Sequence, residues 1–396
     1  MNGKEITFIV VSLLIIFIGA LSIYQMHTQP ILPIEPYETA LGIPWRLLVA
    51  QYVFFAVSAT GLCIVVSLGE LFGVKKLEKI AKEGLVMALV MILIGLMTIG
   101  LEIEQVMRGS YAMLGHTNPS SLMFWMIMFY VLYLIFLSFE TWFLLYDDLL
   151  IQANEGGLRS FVAKLLTLIK IENSKEYAKV LGMIKLVTAV IATSTLGALF
   201  SVTHLKLWHD PLLPIYFILT AIVSGAALIV IGVYLTDYFK GLNERHEVFQ
   251  TLRHVLVVSI IVTILFTAWK LIIKAYPNST LLSRMAVYNL MSDYAINFWV
   301  FEFLIGLILP FILLILPKTG QKIEGIFVSS LLVITGMVFC RIDHVVVGQL
   351  TMKISGIDVT FVSFHPLEIL SSIGFVALFV FGYYLAHKLL PLGVEV

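Results

Sequence analysis

Apolar residues run along this chain in long, nearly unbroken blocks, and polar residues gather in the short segments between them. Ten blocks stand out, at 6–26, 46–72, 84–107, 121–147, 181–203, 214–238, 254–275, 296–316, 322–342 and 367–390. Each is long enough to cross about 30 Å of hydrocarbon as a helix. The pattern predicts an all-α polytopic membrane protein with ten transmembrane helices. The first block exceeds a typical signal-peptide core and has no small-residue cleavage site, so it reads as a retained helix.

The connecting segments differ by side. Loop 148–180 contains SFVAKLLTLIK from Ser160 to Lys170, an amphipathic pattern suited to lying on the membrane surface. On the opposite side, 27–45 holds Pro30, Pro33, Pro36 and Pro44, 276–295 is long and polar in places, and 343–366 reads as two short β-like runs about Gly356. Such loops suit either a docking surface for another subunit or simple caps over the helix ends.

Charge orients the chain. Sixteen Lys and Arg fall on one side and six on the other, with Lys185, Lys270 and Arg341 inside spans. The excess side is cytoplasmic, which puts both termini in the cytoplasm of a cell membrane. Composition agrees, with 60% hydrophobic and 13% charged residues among 396. The net charge of zero argues against bulk nucleic-acid binding. The two cysteines, Cys63 and Cys340, form no C-x-x-C, so no iron–sulfur or zinc framework is encoded. All nine histidines lie in loops or at helix ends, which argues against a haem held between facing helices.

Candidate chemistry centres on Thr98–Ser121, TIGLEIEQVMRGSYAMLGHTNPSS. A carboxylate in hydrocarbon is costly and tends to survive only with a partner or a task. Glu104 and Arg108 are four apart and can pair along one helix face, whereas Glu102 has no local partner and sits about 7 Å below the helix end. At similar outer depth lie Tyr52, Ser194, Thr195 and His204, and a tyrosine, a histidine and a carboxylate suit hydrogen bonding to a carbonyl-bearing ring and proton exchange. A second outer group holds Lys270, Asn297, Glu302, Arg341, Asp343, His344 and Glu368, where Glu302 with Lys270 or Arg341 reads best as a structural pair. The inner third carries Glu70, Glu140, Asp147, Lys185 and Asp237, either a proton path or an interhelical ion pair of Glu140 with Lys185. The midplane reads as nearly free of ionisable groups.

Several motifs together carry a resemblance. Gly42-Ile43-Pro44-Trp45 opens the second span, followed by Leu101-Glu102-Ile103 through Arg108, then Asn118-Pro119-Ser120-Ser121, Phe124-Trp125 and Glu140. In order and spacing these resemble the NrfD or polysulfide-reductase membrane-subunit family, whose pattern runs G-x-P-W, D-L-G-x-P-x-R and N-P-x-S with a following tryptophan. The second half is similar to the ten-helix, HybB-like and DsrP-like branch through Ser194–Leu199, His209 with Pro211, Phe298-Trp299 with Glu302 and Pro310, and Pro366 with Glu368 and Ile373-Gly374-Phe375. Glu102 stands where the family has Asp, Glu104-Gln105 replace Gly-Arg, and Ala192 stands where the hydrogenase branch has histidine.

The resemblance implies two four-helix bundles, 46–203 and 214–342, flanked by helices 6–26 and 367–390. It implies a subunit of a quinone-linked oxidoreductase that binds no haem, iron–sulfur cluster or metal itself. Electrons would pass between exchangeable menaquinone in the first bundle and an extracytoplasmic ferredoxin-like iron–sulfur subunit, within a complex of sulfite-reduction, hydrogenase or molybdoenzyme type. The expected quinone contacts are Trp45, Tyr52, Glu102, Arg108, Ser194, Thr195 and His204, with Glu102 and His204 the catalytic pair: His204 and Tyr52 donate to the quinone oxygens, Glu102 accepts protons, and Arg108 orients the acid or the partner. Read from the residues themselves and not from the resemblance, a proton path would use Glu70, Glu140, Asp147, Lys185, Glu302 and Arg341. The alternatives are a secondary transporter and a purely structural anchor.

Overall fold

The structure is a computed structural model, and it describes residues 3–28, 45–102, 117–241, 245–350 and 364–392. Ten of its helices are long and apolar enough to cross a membrane, so the chain is a multi-pass integral membrane protein. They are α1 (Gly3–Thr28), α2 (Leu47–Glu70), α3 (Ala81–Glu102), α4 (Leu122–Gln152), α5 (Ser174–Ser201), α6 (Leu213–Lys240), α7 (His246–Ala275), α8 (Ile296–Ile315), α9 (Ile323–Val347) and α10 (Pro366–Leu389). In lipid a segment must satisfy its own backbone donors and acceptors, and a helix does so without neighbours.

The expected spans are all present, but several helices outrun them. α5 starts at Ser174, α7 at His246, and α4 ends at Gln152. Hydropathy marks where lipid ends, whereas backbone hydrogen bonding continues through the polar turns beyond it. The expected β-like run after Asp343 is corrected: residues 343–350 continue α9 as helix, and 351–363 lie outside the described residues. A short apolar run has no periodicity that separates strand from helix. Segment 276–295 holds a further helix, Leu281–Ser292, whose Thr280 hydroxyl accepts the Ser283 amide at 3.2 Å. Thr280→Ala is expected to cost about 1 kcal/mol locally, read as faster amide exchange in the first turn of that helix.

α2 is apolar all round and buried along nearly its whole length, as expected of a helix at the centre of a bundle. It packs against α3, α5 and α6. Gly61 of α2 lies directly against the α6 backbone at Ala221 and Gly225, the close approach small residues allow between membrane helices. Gly306 against Gly336 brings α8 onto α9, and Gly19 against Gly374 brings α1 onto α10.

One end of the bundle is the Trp45 face, the end expected outside, and the other is the Arg245 face. At the Arg245 face, the Arg245 guanidinium donates to Glu83 at 3.1 and 3.2 Å and to Asp237 at 2.7 Å, tying α3, α6 and α7 together. Lys82 pairs with Asp148 across α3 and α4. The expected amphipathic helix forms as Gly157–Leu166, with Leu158, Phe161 and Leu165 exposed. It is held by the Trp142 indole donating to the Leu166 carbonyl at 2.8 Å and the Tyr146 hydroxyl donating to Ile169 at 3.0 Å.

Candidate functional site

α2, α4 and α5 carry a column of polar side chains through the bundle. At its Arg245 end the Lys185 ammonium of α5 lies 3.0 and 2.9 Å from the two oxygens of Glu140 on α4 and 3.8 Å from Glu70 on α2. Gly182, one turn from Lys185, leaves the space that the Glu140 carboxylate fills. The expected Glu140–Lys185 ion pair is therefore present, with Glu70 as a third member.

Further toward the Trp45 face, the Tyr133 hydroxyl donates to the Ala59 carbonyl at 2.9 Å and lies 3.1 Å from the Cys63 sulfur. A phenol has one proton to give, so the thiol donates to the phenol oxygen. The Thr193 and Thr60 hydroxyls meet at 2.5 Å. Beyond them Tyr130 is buried beside Thr193 and Tyr52, its hydroxyl facing Thr193 without a hydrogen bond of normal geometry among the described residues. From Glu70 to Tyr52, α2 rises about 27 Å at 1.5 Å per residue. The midplane is thus less apolar than the sequence suggests. Hydropathy barely registers Tyr130, Tyr133, Cys63, Thr60 and Thr193, and sequence reasoning misses them; the signal is their i, i+3 spacing on α4 and α2.

Above the column, the Trp45 ring stacks on Trp208 at 5.3 Å and meets the edge of Phe200 at 5.6 Å. Gln349 donates to the Trp45 carbonyl at 2.7 Å and accepts its amide at 3.4 Å. The Trp208 indole donates to the His344 carbonyl at 2.5 Å. Glu102 lies apart from Tyr52, half-buried at the end of α3, where its charged neighbours are Glu368, Arg46 and His27. Arg46 in turn holds Glu368 through Nε at 2.6 Å and Nη2 at 3.1 Å.

The remaining expected residues scatter. Ser194 and Thr195 are half-buried on α5, and the Thr195 hydroxyl donates within its own helix, with Ile191 and Ala192 carbonyls both at 2.9 Å. His204 is exposed beyond α5, and no hydrogen bond among the described residues joins it to Tyr52 or Glu102. Asp147 is at the surface, accepting from Ser174 at 3.1 Å. Arg108 lies outside the described residues. Glu302 and Arg341 belong to a separate cluster on α6–α9. A groove of about 450 Å³ is lined mainly by apolar residues of α6 and α7 with Leu68, and shares no residue with the Trp45–Tyr52 region.

The sequence profile of the polysulphide reductase, NrfD family matches residues 37–353. The chain belongs to the NrfD family. Among relatives, a selenate reductase subunit of Mesobacillus selenatarsenatis is 25% identical across 98% of this chain and 94% of its own length. The Hdr-like menaquinol oxidoreductase integral membrane subunit of Archaeoglobus fulgidus is 23% identical across 73% of this chain and 67% of its own. The matched span of this NrfD chain contains the whole polar column and Trp45, while the Arg46 partner Glu368 on α10 lies outside it.

Proposed function

We propose that this NrfD chain is the quinone-reactive membrane subunit of a redox complex, exchanging electrons between menaquinone or menaquinol and an iron–sulfur subunit docked on the Trp45 face. The relative named as a menaquinol oxidoreductase membrane subunit supports the quinone, and the selenate reductase subunit supports a place in a larger reductase. In this reading 46–203 carries the quinone site and 214–342 forms a second bundle. The Trp45 face looks outward and both termini are cytoplasmic, following the Lys and Arg distribution.

The observation that carries the site is the orphaned, buried Tyr130 hydroxyl beside Tyr52, at the head of the column and below the Trp45–Trp208 stack. A buried donor without a partner is costly, and a quinone carbonyl would satisfy it while the tryptophans cover the ring. Tyr52 and Tyr130 hold the oxygens in this scheme. Each quinol gives up two electrons, which leave for the partner's clusters, and two protons, which leave through side chains of this chain. Glu102, with Arg46 and Glu368 beside it, and His204 take protons at the Trp45 face. The column down to Lys185, Glu140 and Glu70, continued by Asp147 to the surface, is the route for protons to or from the Arg245 face.

The test is menaquinol oxidation by the purified complex. Tyr52→Phe and Tyr130→Phe each lose one hydrogen bond to the ring, roughly 0.5–1.5 kcal/mol, and are expected to lower kcat/KM by about two- to tenfold with assembly unchanged. Wild-type rates in both would remove this site. Glu102→Gln and His204→Ala test the proton roles in the same assay. Full electron transfer by a complex stripped of quinone would leave this chain only the role of an anchor.

A further inference from the structure

A second group of buried charges lies between α6, α7, α8 and α9, near the Trp45 face and apart from the column. Glu302, Arg341, Asp343 and His344 are 4%, 2%, 3% and 6% exposed. Lys270 reaches in from α7 over the Tyr216 ring, 4.1 Å from its centroid. No salt bridge joins these groups among the described residues, and the Glu302 and Asp343 carboxyls lie side by side, with Asn297 next to Asp343 and Cys340 next to Glu302. Arg341 spends Nη2 on the Thr220 hydroxyl at 2.5 Å and lies over the Phe217 ring at 4.6 Å. Glu302 accepts from the Tyr216 hydroxyl at 3.4 Å. Both carboxylate oxygens of Asp343, Nη1 of Arg341 and Nε2 of His344 have no hydrogen-bond partner among the described residues.

What they surround is a cavity of about 20 Å³, lined on its polar side by Tyr216, Lys270, Glu302, Cys340, Asp343 and His344. A cavity above roughly 10–15 Å³ with two to four polar partners is the size of one ordered water. The backbone is unusual at the same place: residues 296–308 of α8 and 343–347 at the end of α9 make i→i+5 hydrogen bonds, and such wide turns recur at functional sites.

A buried carboxylate without a hydrogen-bond donor is costly, so Asp343, set beside Glu302 at a water-sized hole, calls for a ligand. A metal cation fits poorly, because Lys270 and Arg341 already bring two positive charges to the two carboxyls. An anion would meet those carboxyls at the cavity wall. What remains is a proton carried on water.

We propose that Asp343 and Glu302 form a proton-holding site, bridged by one water in this cavity. An O–H bond of the hydrated proton breaks as one forms on Asp343; the water then takes that proton while giving one of its own to Glu302, so charge moves and no atom is lost. The titratable neighbours are Tyr216 from α6, Lys270 and Lys274 from α7, Tyr294 just before α8, and Cys340, Arg341 and His344 from α9. The site also abuts the mouth of the first bundle. The His344 ring lies 4.8 Å from Phe200, and Gln349, six residues beyond Asp343, holds the Trp45 backbone. The inference stands on the cluster itself and does not depend on quinone being the substrate.

The experiment is infrared difference spectroscopy of the purified complex, titrated with pH in H₂O and D₂O. The expected result is a protonated-carboxyl band that shifts in D₂O and is lost in both Asp343→Asn and Glu302→Gln, because the two share one proton. Absence of any such band in wild type, or its persistence in both variants, overturns the proposal. So does a band that responds to sodium at fixed pH, which would assign the site to a cation. Where the neutral variants do not assemble, Asp343→Glu keeps the carboxyl: a displaced band supports the site, and an unmoved one overturns it.

Discussion

Replacing Lys185 by methionine is expected to cost about 3–5 kcal/mol of stability, because it removes one partner of a buried ion group and strands the others. Lys185 lies within 3.0 Å of both Glu140 oxygens and is wholly buried, with Glu70 as a second acid. An interhelical hydrogen bond between membrane helices averages only about 0.6 kcal/mol, since the unfolded chain in lipid finds substitutes. Stranding two carboxyls in hydrocarbon is a different order of cost, and it decides the magnitude. The double variant Lys185→Met with Glu140→Met removes most of the charge along with its partner and is expected to recover much of the loss. Denaturant-driven unfolding in detergent reads both. A single variant as stable as wild type would mean that the group is already open to water.

Gly225→Val is expected to be the most damaging apolar substitution, at about 3 kcal/mol or more, the upper end of the cost of overpacking. A side chain at 225 would fall on the Gly61 backbone, and one at 61 on the Ala221 carbonyl. Neither obstacle is a side chain that can turn away, so α2 and α6 must part, and every helix resting on α2 moves with them. Gly100→Ala is the control: nothing lies within 4 Å of a Cβ there, and alanine is the better helix former. Loss of the monodisperse peak in size exclusion for Gly225→Val, with Gly100→Ala unchanged, is the expected outcome; equal behaviour would mean that the crossing has slack.

The column and the second cluster are unequally legible. Glu140 and Lys185 stand out in the sequence, because charge inside an apolar run is rare and expensive. Tyr130, Tyr133, Cys63, Thr60 and Thr193 do not, because hydroxyls and thiols cost little in lipid and are common in it. Only the rotation of α2, α4 and α5 about their axes turns them to one side. Glu102 shows the reverse case. It is isolated in the local sequence, but its neighbours Arg46 and Glu368 come from the starts of α2 and α10, and no local pattern brings those together.

The sequence by itself determined the membrane class, the ten crossings, the surface helix after α4 and the family. Each depends on a local quantity: enough consecutive apolar residues to match the hydrocarbon thickness, the 3.6-residue period of one amphipathic turn after another, and motifs short enough to read in place. Tertiary structure alone decided which polar groups meet. It set Glu70 beside the Glu140–Lys185 pair, gathered Lys270, Glu302, Asp343 and His344 around one small cavity, and kept residues 343–350 helical. Those outcomes rest on how closely backbones approach at Gly61, Gly225, Gly306 and Gly336, a property of pairs of helices and not of any one stretch of chain.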